Sequence, residues 1–135
     1  MTQAAILAGL SQSKLATEMT EDQRKTLAAV MTLRDFGAGE LLVREGDSDD
    51  HLYVVAAGGV AVVKAAGTDN EVTLNILRPG DVVGELSFLD GAKRYASLVA
   101  LDGTRVLGLS RGNLESLLDS HPHVVYRVMR AIVRV

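Results

Sequence analysis

The chain has 135 residues, 47% of them hydrophobic, a formal net charge of −3 and no cysteine. That size and apolar content suit one domain with its own core, while the acidic balance leaves no basic footprint for nucleic acid. Lack of cysteine excludes disulfides and thiolate metal sites and fits a reducing, cytoplasmic setting.

The elements follow in chain order. Ala4 to Leu10 form a weak helical stretch of small and aliphatic residues. Thr20, followed three residues later by Gln23, makes a capping box for a helix over Glu21 to Met31. Acidic Glu21 and Asp22 sit in its first turn, where the helix dipole favours them. From Leu33 the period changes. Leu41–Val43, Leu52–Ala56, Val60–Val63, Val72–Leu77, Ser97–Ala100 and Arg105–Leu109 read as strands. Turn signals separate them at Gly37 and Gly39, Gly46-Asp47, Gly58-Gly59, Gly67–Asn70, Pro79-Gly80-Asp81 and Asp102-Gly103. Short strands at this spacing predict an antiparallel sandwich or barrel rather than βαβ units. The core should use Leu42, Leu52, Val54, Val60, Val62, Leu74, Ile76, Leu98, Val106 and Leu107.

Helical period then returns. Ser110 can cap a helix carrying Leu114, Leu117 and Leu118. His121-Pro122 starts another, because proline suits the first helical turn. Its apolar positions, Val124, Val125, Val128, Met129, Ile132 and Val133, form a wide stripe that is still running at Val135, as expected of a trimmed end or a tail without order. The expected layout is one domain over 1–135: helical 1–32, a β-roll over 33–109 and C-terminal helices over 110–135. No apolar run approaches the roughly 20 residues that span a bilayer, so no membrane partner is expected.

One segment concentrates chemistry. In Gly84-Glu85-Leu86-Ser87-Phe88-Leu89 a glycine opens a short apolar turn, and Arg94-Tyr95-Ala96-Ser97 follows. Gly84 lets backbone approach a ligand, and free N–H groups at the start of the turn can meet an anion. Arg94 can grip a phosphate bidentately. Glu85 has the wrong sign for phosphate and suits a hydroxyl instead. Phosphate beside hydroxyl points to a sugar phosphate or a nucleotide. Taken alone, Glu85 and Arg94 would read as an exposed ion pair contributing ~0–1 kcal/mol.

The surrounding pattern changes that reading. Gly84–Leu89 and Arg94–Ala100 resemble the phosphate-binding cassette of cyclic nucleotide-binding domains, the family of catabolite activator proteins and cAMP-dependent kinase regulatory subunits. Glu45-Gly46-Asp47-Ser48-Asp49-Asp50-His51-Leu52-Tyr53-Val54-Val55 is similar to the family's hairpin motif, and Leu77-Arg78-Pro79-Gly80-Asp81-Val82-Val83 to its approach to the cassette. The resemblance covers nearly the whole chain. It implies a jelly-roll β-roll with flanking helices, and a regulatory module binding a cyclic mononucleotide, cAMP favoured over cGMP. It assigns phosphate to Arg94 and to N–H groups near Ser87 and Tyr95, and the ribose 2′-hydroxyl to Glu85, with Ala96 also among the ligand-binding residues. Gly84 gives close approach, and Val83, Leu74 and Leu86 wall sugar and base. The final helix is expected to act as lid and lever, and its stripe to pair with a second copy. Tyr95 departs from the small or hydroxylated residue usual there, so its ring is expected either to stack on the base or to obstruct the pocket.

No nucleophile elbow, Walker lysine loop or paired carboxylates support an enzyme. His51, His121 and His123 lack the spacing of a jelly-roll metal site, and Asp47, Asp49 and Asp50 read as a solvated turn, so neither metal nor cofactor is expected. The alternative function is a related interaction module that keeps the fold and no longer binds nucleotide.

Overall fold

The computed structural model describes residues 2–134; Val135, at which the sequence expectation of an unfinished stripe was placed, lies outside them. Helix α1 (Thr2–Ser11) turns Ile6 and Leu10 inward. A 3-10 turn over Lys14–Ala16 follows, with the Ser13 hydroxyl accepting from Leu15 N–H at 3.2 Å. Helix α2 (Glu21–Ala28) carries the expected capping box: Gln23 N–H donates to the Thr20 hydroxyl at 3.2 Å, and Thr20 N–H to the Gln23 side chain at 3.0 Å. It stops at Ala28 rather than Met31. The chain turns there and drops Met31 into the core, 4% exposed, before the first strand begins.

Eight strands follow: β1 (Thr32–Phe36), β2 (Leu41–Val43), β3 (His51–Ala57), β4 (Val60–Lys64), β5 (Val72–Leu77), β6 (Val82–Val83), β7 (Ser97–Ala100) and β8 (Thr104–Ser110). Helix α3 (Glu85–Asp90) lies between β6 and β7, and α4 (Arg111–Glu115) and α5 (Pro122–Arg134) follow β8. The strands make two antiparallel four-stranded sheets, ordered β1-β8-β3-β6 and β2-β7-β4-β5. This is a β-roll of jelly-roll type with flanking helices, the architecture expected from the sequence. Two strands escaped sequence reading. β1 buries only Phe36 fully, so it shows no alternation, and β6 is two residues long.

Strand β3 is buried on both faces, and this fixes the layering. Leu52 and Val54 join Leu107 and Leu109 of β8 against Ile6, Leu10, Leu27, Phe88, Val124 and Val128 of the helices. Tyr53 and Val55 point the other way, into a second cluster between the sheets with Val60, Val62, Leu98 and Val106. Two residues expected in the core are not there: Leu74 is 49% exposed and Ile76 38%. β5 is an edge strand whose only sheet neighbour is β4, so the apolar alternation of Leu74 and Ile76 falls outward. Leu77, paired with Val60, takes the inward place instead, and Leu42 is half-buried.

The C-terminal helix is tied down electrostatically as well. Glu18 accepts from Arg130 Nε at 2.6 Å, from Arg134 and, weakly, from Arg127 at 3.5 Å. Among the described residues no helix is long and apolar enough to cross a membrane.

Leu107→Ala should lower stability by about 2–5 kcal/mol, since that side chain is wholly buried between helices and sheet. Thr20→Ala should cost only about 1 kcal/mol through the lost cap. Urea denaturation of both variants checks this ranking; equal losses would contradict it.

Candidate functional site

The cassette is assembled by backbone pairing. Arg94 N–H donates to Asp47 C=O at 2.9 Å, and Gly46 N–H to Arg94 C=O at 2.7 Å. Glu45 N–H donates to the Ser97 hydroxyl at 2.9 Å. The hairpin loop before β3 and the segment before β7 are therefore clasped together, 46 and 94 being far apart in sequence but adjacent in space.

Above this clasp a cavity of about 250 Å³ opens between α3 and the inner face of the second sheet. Of the residues expected at the site, Val83, Gly84, Glu85, Leu86, Ser87, Arg94, Tyr95 and Ala96 line it. Leu74 does not: it stands outward on edge strand β5, away from the lining. Val62 and Leu98 fill the place foreseen for it, from the inward faces of β4 and β7, and Ala92 and Lys93 complete the rim. Val62 and Leu98 were expected in the core, and only closure of the roll makes those positions cavity wall.

Gly84 precedes α3 with φ 94°, a left-handed conformation that a side chain strains. A Cβ there would also meet the His51 carbonyl at 3.0 Å and collide with the Arg94 guanidinium. Glu85 starts the helix, and the first intrahelical bond is Phe88 N–H to Gly84 C=O at 3.0 Å. The N–H groups of Glu85, Leu86 and Ser87 are thus left for other acceptors. Ser87 is 3% exposed, Leu86 60%.

Arg94 is the central group. Its side chain is 5% exposed, yet Nη2 donates to the His51 carbonyl at 2.5 Å and lies 3.4 Å from Asp49 Oδ2. The guanidinium carbon sits 5.5 Å from the centre of the Tyr53 ring, a cation–π position. Its Nε is buried and meets no hydrogen-bond partner among the described residues. A buried, incompletely satisfied cation at a cavity wall is costly unless an anion completes it.

Asp49 corrects the reading of a solvated turn. Its carboxylate is 20% exposed and accepts from Tyr53 OH at 2.8 Å, from His51 N–H at 2.9 Å and from His51 Nδ1 at 2.9 Å. Burial alone would raise the Asp49 carboxyl, but the bonds from Tyr53 and His51 and the charge of Arg94 outweigh it and hold it below its ordinary value. Burial, then the bond to Asp49, push the Tyr53 phenol well above its ordinary range. A guanidinium 3.4 Å away makes Asp49, Asp50 and His51 a poor cation cage.

Tyr95 is 59% exposed at the rim, its carbonyl held by Lys64 Nζ at 2.6 Å. Its ring therefore leans to solvent rather than filling the cavity. Helix α5 contributes no residue to the lining. Val125 and Met129 instead face Phe88 and Leu89 across a groove behind α3.

Residues 33–121 match the family model for the cyclic nucleotide-binding domain. The chain belongs to that family. It is 34% identical over 101 residues to the cyclic AMP receptor protein of Thermus thermophilus, covering 75% of this chain and 47% of the relative. It is 30% identical over 100 residues to the CRP-like cAMP-activated global transcriptional regulator of Mycobacterium tuberculosis, covering 74% and 45%. A cyclic nucleotide-binding domain from Methylobacillus flagellatus superposes with TM-score 0.84 at 28% identity, over 98% of this chain and 74% of that one. The chain thus spans less than half the length of those two curated relatives.

Two predictions follow from the clasped arginine. Gly84→Ala should destabilise the domain and displace Arg94, because strain and collision act together; loss of stability with an Arg94 that has moved in a crystal structure is the expected result. For Asp49, a carboxyl lowered in the fold contributes stability above its unfolded value and loses it as the pH falls through the folded one. Below about pH 4, Asp49→Asn should therefore lose less stability than the parent in acid denaturation.

Proposed function

We propose that this domain is a ligand-sensing regulatory module that binds a 3′,5′-cyclic mononucleotide, cAMP in preference to cGMP. The observation that carries the reading is Arg94: a buried guanidinium with an unpartnered Nε, on the wall of a cavity bordered by free helix-start N–H groups. A cyclic phosphate satisfies that cation and those donors together. Glu85, in the first turn of α3 on the same wall, accepts from the ribose 2′-hydroxyl. A deoxyribose ligand leaves that carboxylate unsatisfied, a loss of roughly 1–3 kcal/mol. Val62, Val83 and Leu98 provide apolar surface for the sugar and base. Preference for cAMP draws on the cAMP named in the two relatives.

The output runs through α3. Its inner side faces the cavity, and its Phe88, 1% exposed, is part of the core shared with Val124 and Val128 of α5. A ligand that draws α3 toward Arg94 changes how Phe88 packs, and α5 responds as a lever rather than a lid. The shift is limited to the ligand's differential affinity for the two α5 positions. Outward Met129, 39% exposed, and Val133, 85% exposed, support pairing of α5 with a second copy. The domain's own role is regulatory and non-enzymatic, and no nucleic-acid contact is assigned to this acidic stretch.

Thermal melting with cAMP, cGMP and linear AMP tests the reading. At about 100 times its dissociation constant a ligand stabilises by about 2.7 kcal/mol, a rise of several degrees. cAMP should give the largest rise and linear AMP the smallest; flat curves with all three would favour an interaction module without nucleotide binding. By calorimetry, Arg94→Gln should weaken cAMP binding by at least ~2 kcal/mol, because the phosphate loses its buried charge partner. Unchanged affinity would refute the site.

A further inference from the structure

We infer that His51 is a positioning residue for the cassette arginine, acting through a carboxylate that the imidazole and the guanidinium share. The inference rests on the proposed nucleotide site for its consequence but not for its geometry. Asp49 divides its two oxygens. Oδ1 takes the His51 backbone N–H and ring Nδ1, each at 2.9 Å. Oδ2 takes Tyr53 OH at 2.8 Å and lies 3.4 Å from Arg94 Nη2. His51 touches the arginine a second time, through its own carbonyl at 2.5 Å. One residue therefore supplies an acceptor to Arg94 and a competing donor to the carboxylate that holds Arg94.

The imidazole is placed to exchange protons. It is 39% exposed and stacks on Tyr53 at 5.8 Å between centroids, which fixes the ring plane. It borders a second cavity of about 270 Å³ whose wall includes Thr32, Arg34 and Gly108. Gly108 lies against it: a Cβ there would press on Thr32 Oγ1 at 3.0 Å and meet the His51 ring in ordinary contact at 3.5 Å. The groups facing the ring are Asp49 and Asp50 from the hairpin, with Asp50 Oδ1 3.3 Å from Nδ1, Tyr53 from β3, Arg34 from β1 and Arg94 from the cassette. Across the sheet, β8 presents Ser110 and Gly108, which do not titrate.

The consequence has a definite sign. With His51 neutral, Nδ1–H donates to Asp49 and the carboxylate keeps its second oxygen for Arg94. A proton added at the ring makes an imidazolium beside two carboxylates, and Asp49 is drawn toward it. Its hold on Arg94 weakens, and the guanidinium is freer to turn its donors to an incoming phosphate. In reverse, phosphate on Arg94 leaves His51 as the cationic partner of Asp49 and favours the protonated ring. Arg34 opposes that protonation in both states and does not reverse the difference between them. Linkage makes these one statement: ligand binding takes up protons, and affinity rises as pH falls across the range where the ring titrates.

Two measurements on the full chain decide it. The first needs no nucleotide. The ring nitrogens of His51 are followed by NMR against pH in the parent and in Arg94→Gln, with His51→Gln assigning the signals against His121 and His123. Removing the competing cation should move the His51 transition upward. An unmoved transition overturns the inference. The second is calorimetry with cAMP at about pH 6 and about pH 8. The parent should bind at least about threefold more tightly at the lower pH, and His51→Gln should lose that dependence while keeping a cooperative melt. The same dependence in His51→Gln overturns the inference while leaving the nucleotide site standing. If cAMP binds at neither pH, the nucleotide reading fails, and the ligand-free titration still decides whether His51 and Arg94 compete for Asp49.

Discussion

A charged guanidinium held out of water is the constraint around which this domain is organised. Desolvating Arg94 is expensive, and the fold meets that cost with a carboxylate, a carbonyl and an aromatic face, supplied by Asp49, His51 and Tyr53. All three belong to the hairpin and strand β3 rather than to the cassette itself. The hairpin and cassette motifs therefore have to occur together. The pairing of Gly46 and Asp47 with Arg94 is what brings the acid to the cation. Gly84 answers the same demand from the other side, because only a residue without Cβ leaves room for the guanidinium beside the His51 carbonyl.

Strand β3 connects this chemistry to the rest of the molecule. Tyr53 and Val55 face the space between the sheets, Tyr53 lying against Arg94, and Leu52 and Val54 face the helices. A side chain cannot shift on one face of such a strand without strain on the other, since interiors are packed nearly as densely as organic crystals. Helix α3 repeats this arrangement on a smaller scale. Glu85, Leu86 and Ser87 line the cavity, while Phe88 is embedded among the helices. The ligand cavity and the C-terminal helix are thus separated by a single turn of helix. The proposed output route passes through that turn and does not require α5 to touch a ligand.

Much of this was legible in the sequence. The capping box at Thr20, the proline start of α5, six of the strands and the turn signals between them follow from local rules, because caps, φ restrictions and alternation act over a few residues. Glycine, acid and arginine in the cassette were readable for the same reason. Leu74 and Ile76 mark the limit. Their alternation is that of a half-buried strand, but the pattern does not say which face the core will take, and at the edge of the second sheet it took the other one. Asp49 marks a second limit: an aspartate in a polar turn, between Ser48 and Asp50, reads as solvated until a distant arginine is seen to lie against it.

The sequence by itself determined the kind of domain, the order of its elements and the residue types at the candidate site, since these depend on short-range periodicity and on motif chemistry. Only the tertiary structure decided which face of β5 is wet, that α5 sits behind α3 rather than over the cavity, and that Asp49 and His51 hold the arginine. Those are outcomes of long-range packing, where residues forty or more positions apart must share one buried charge, and nothing local to either segment encodes the meeting.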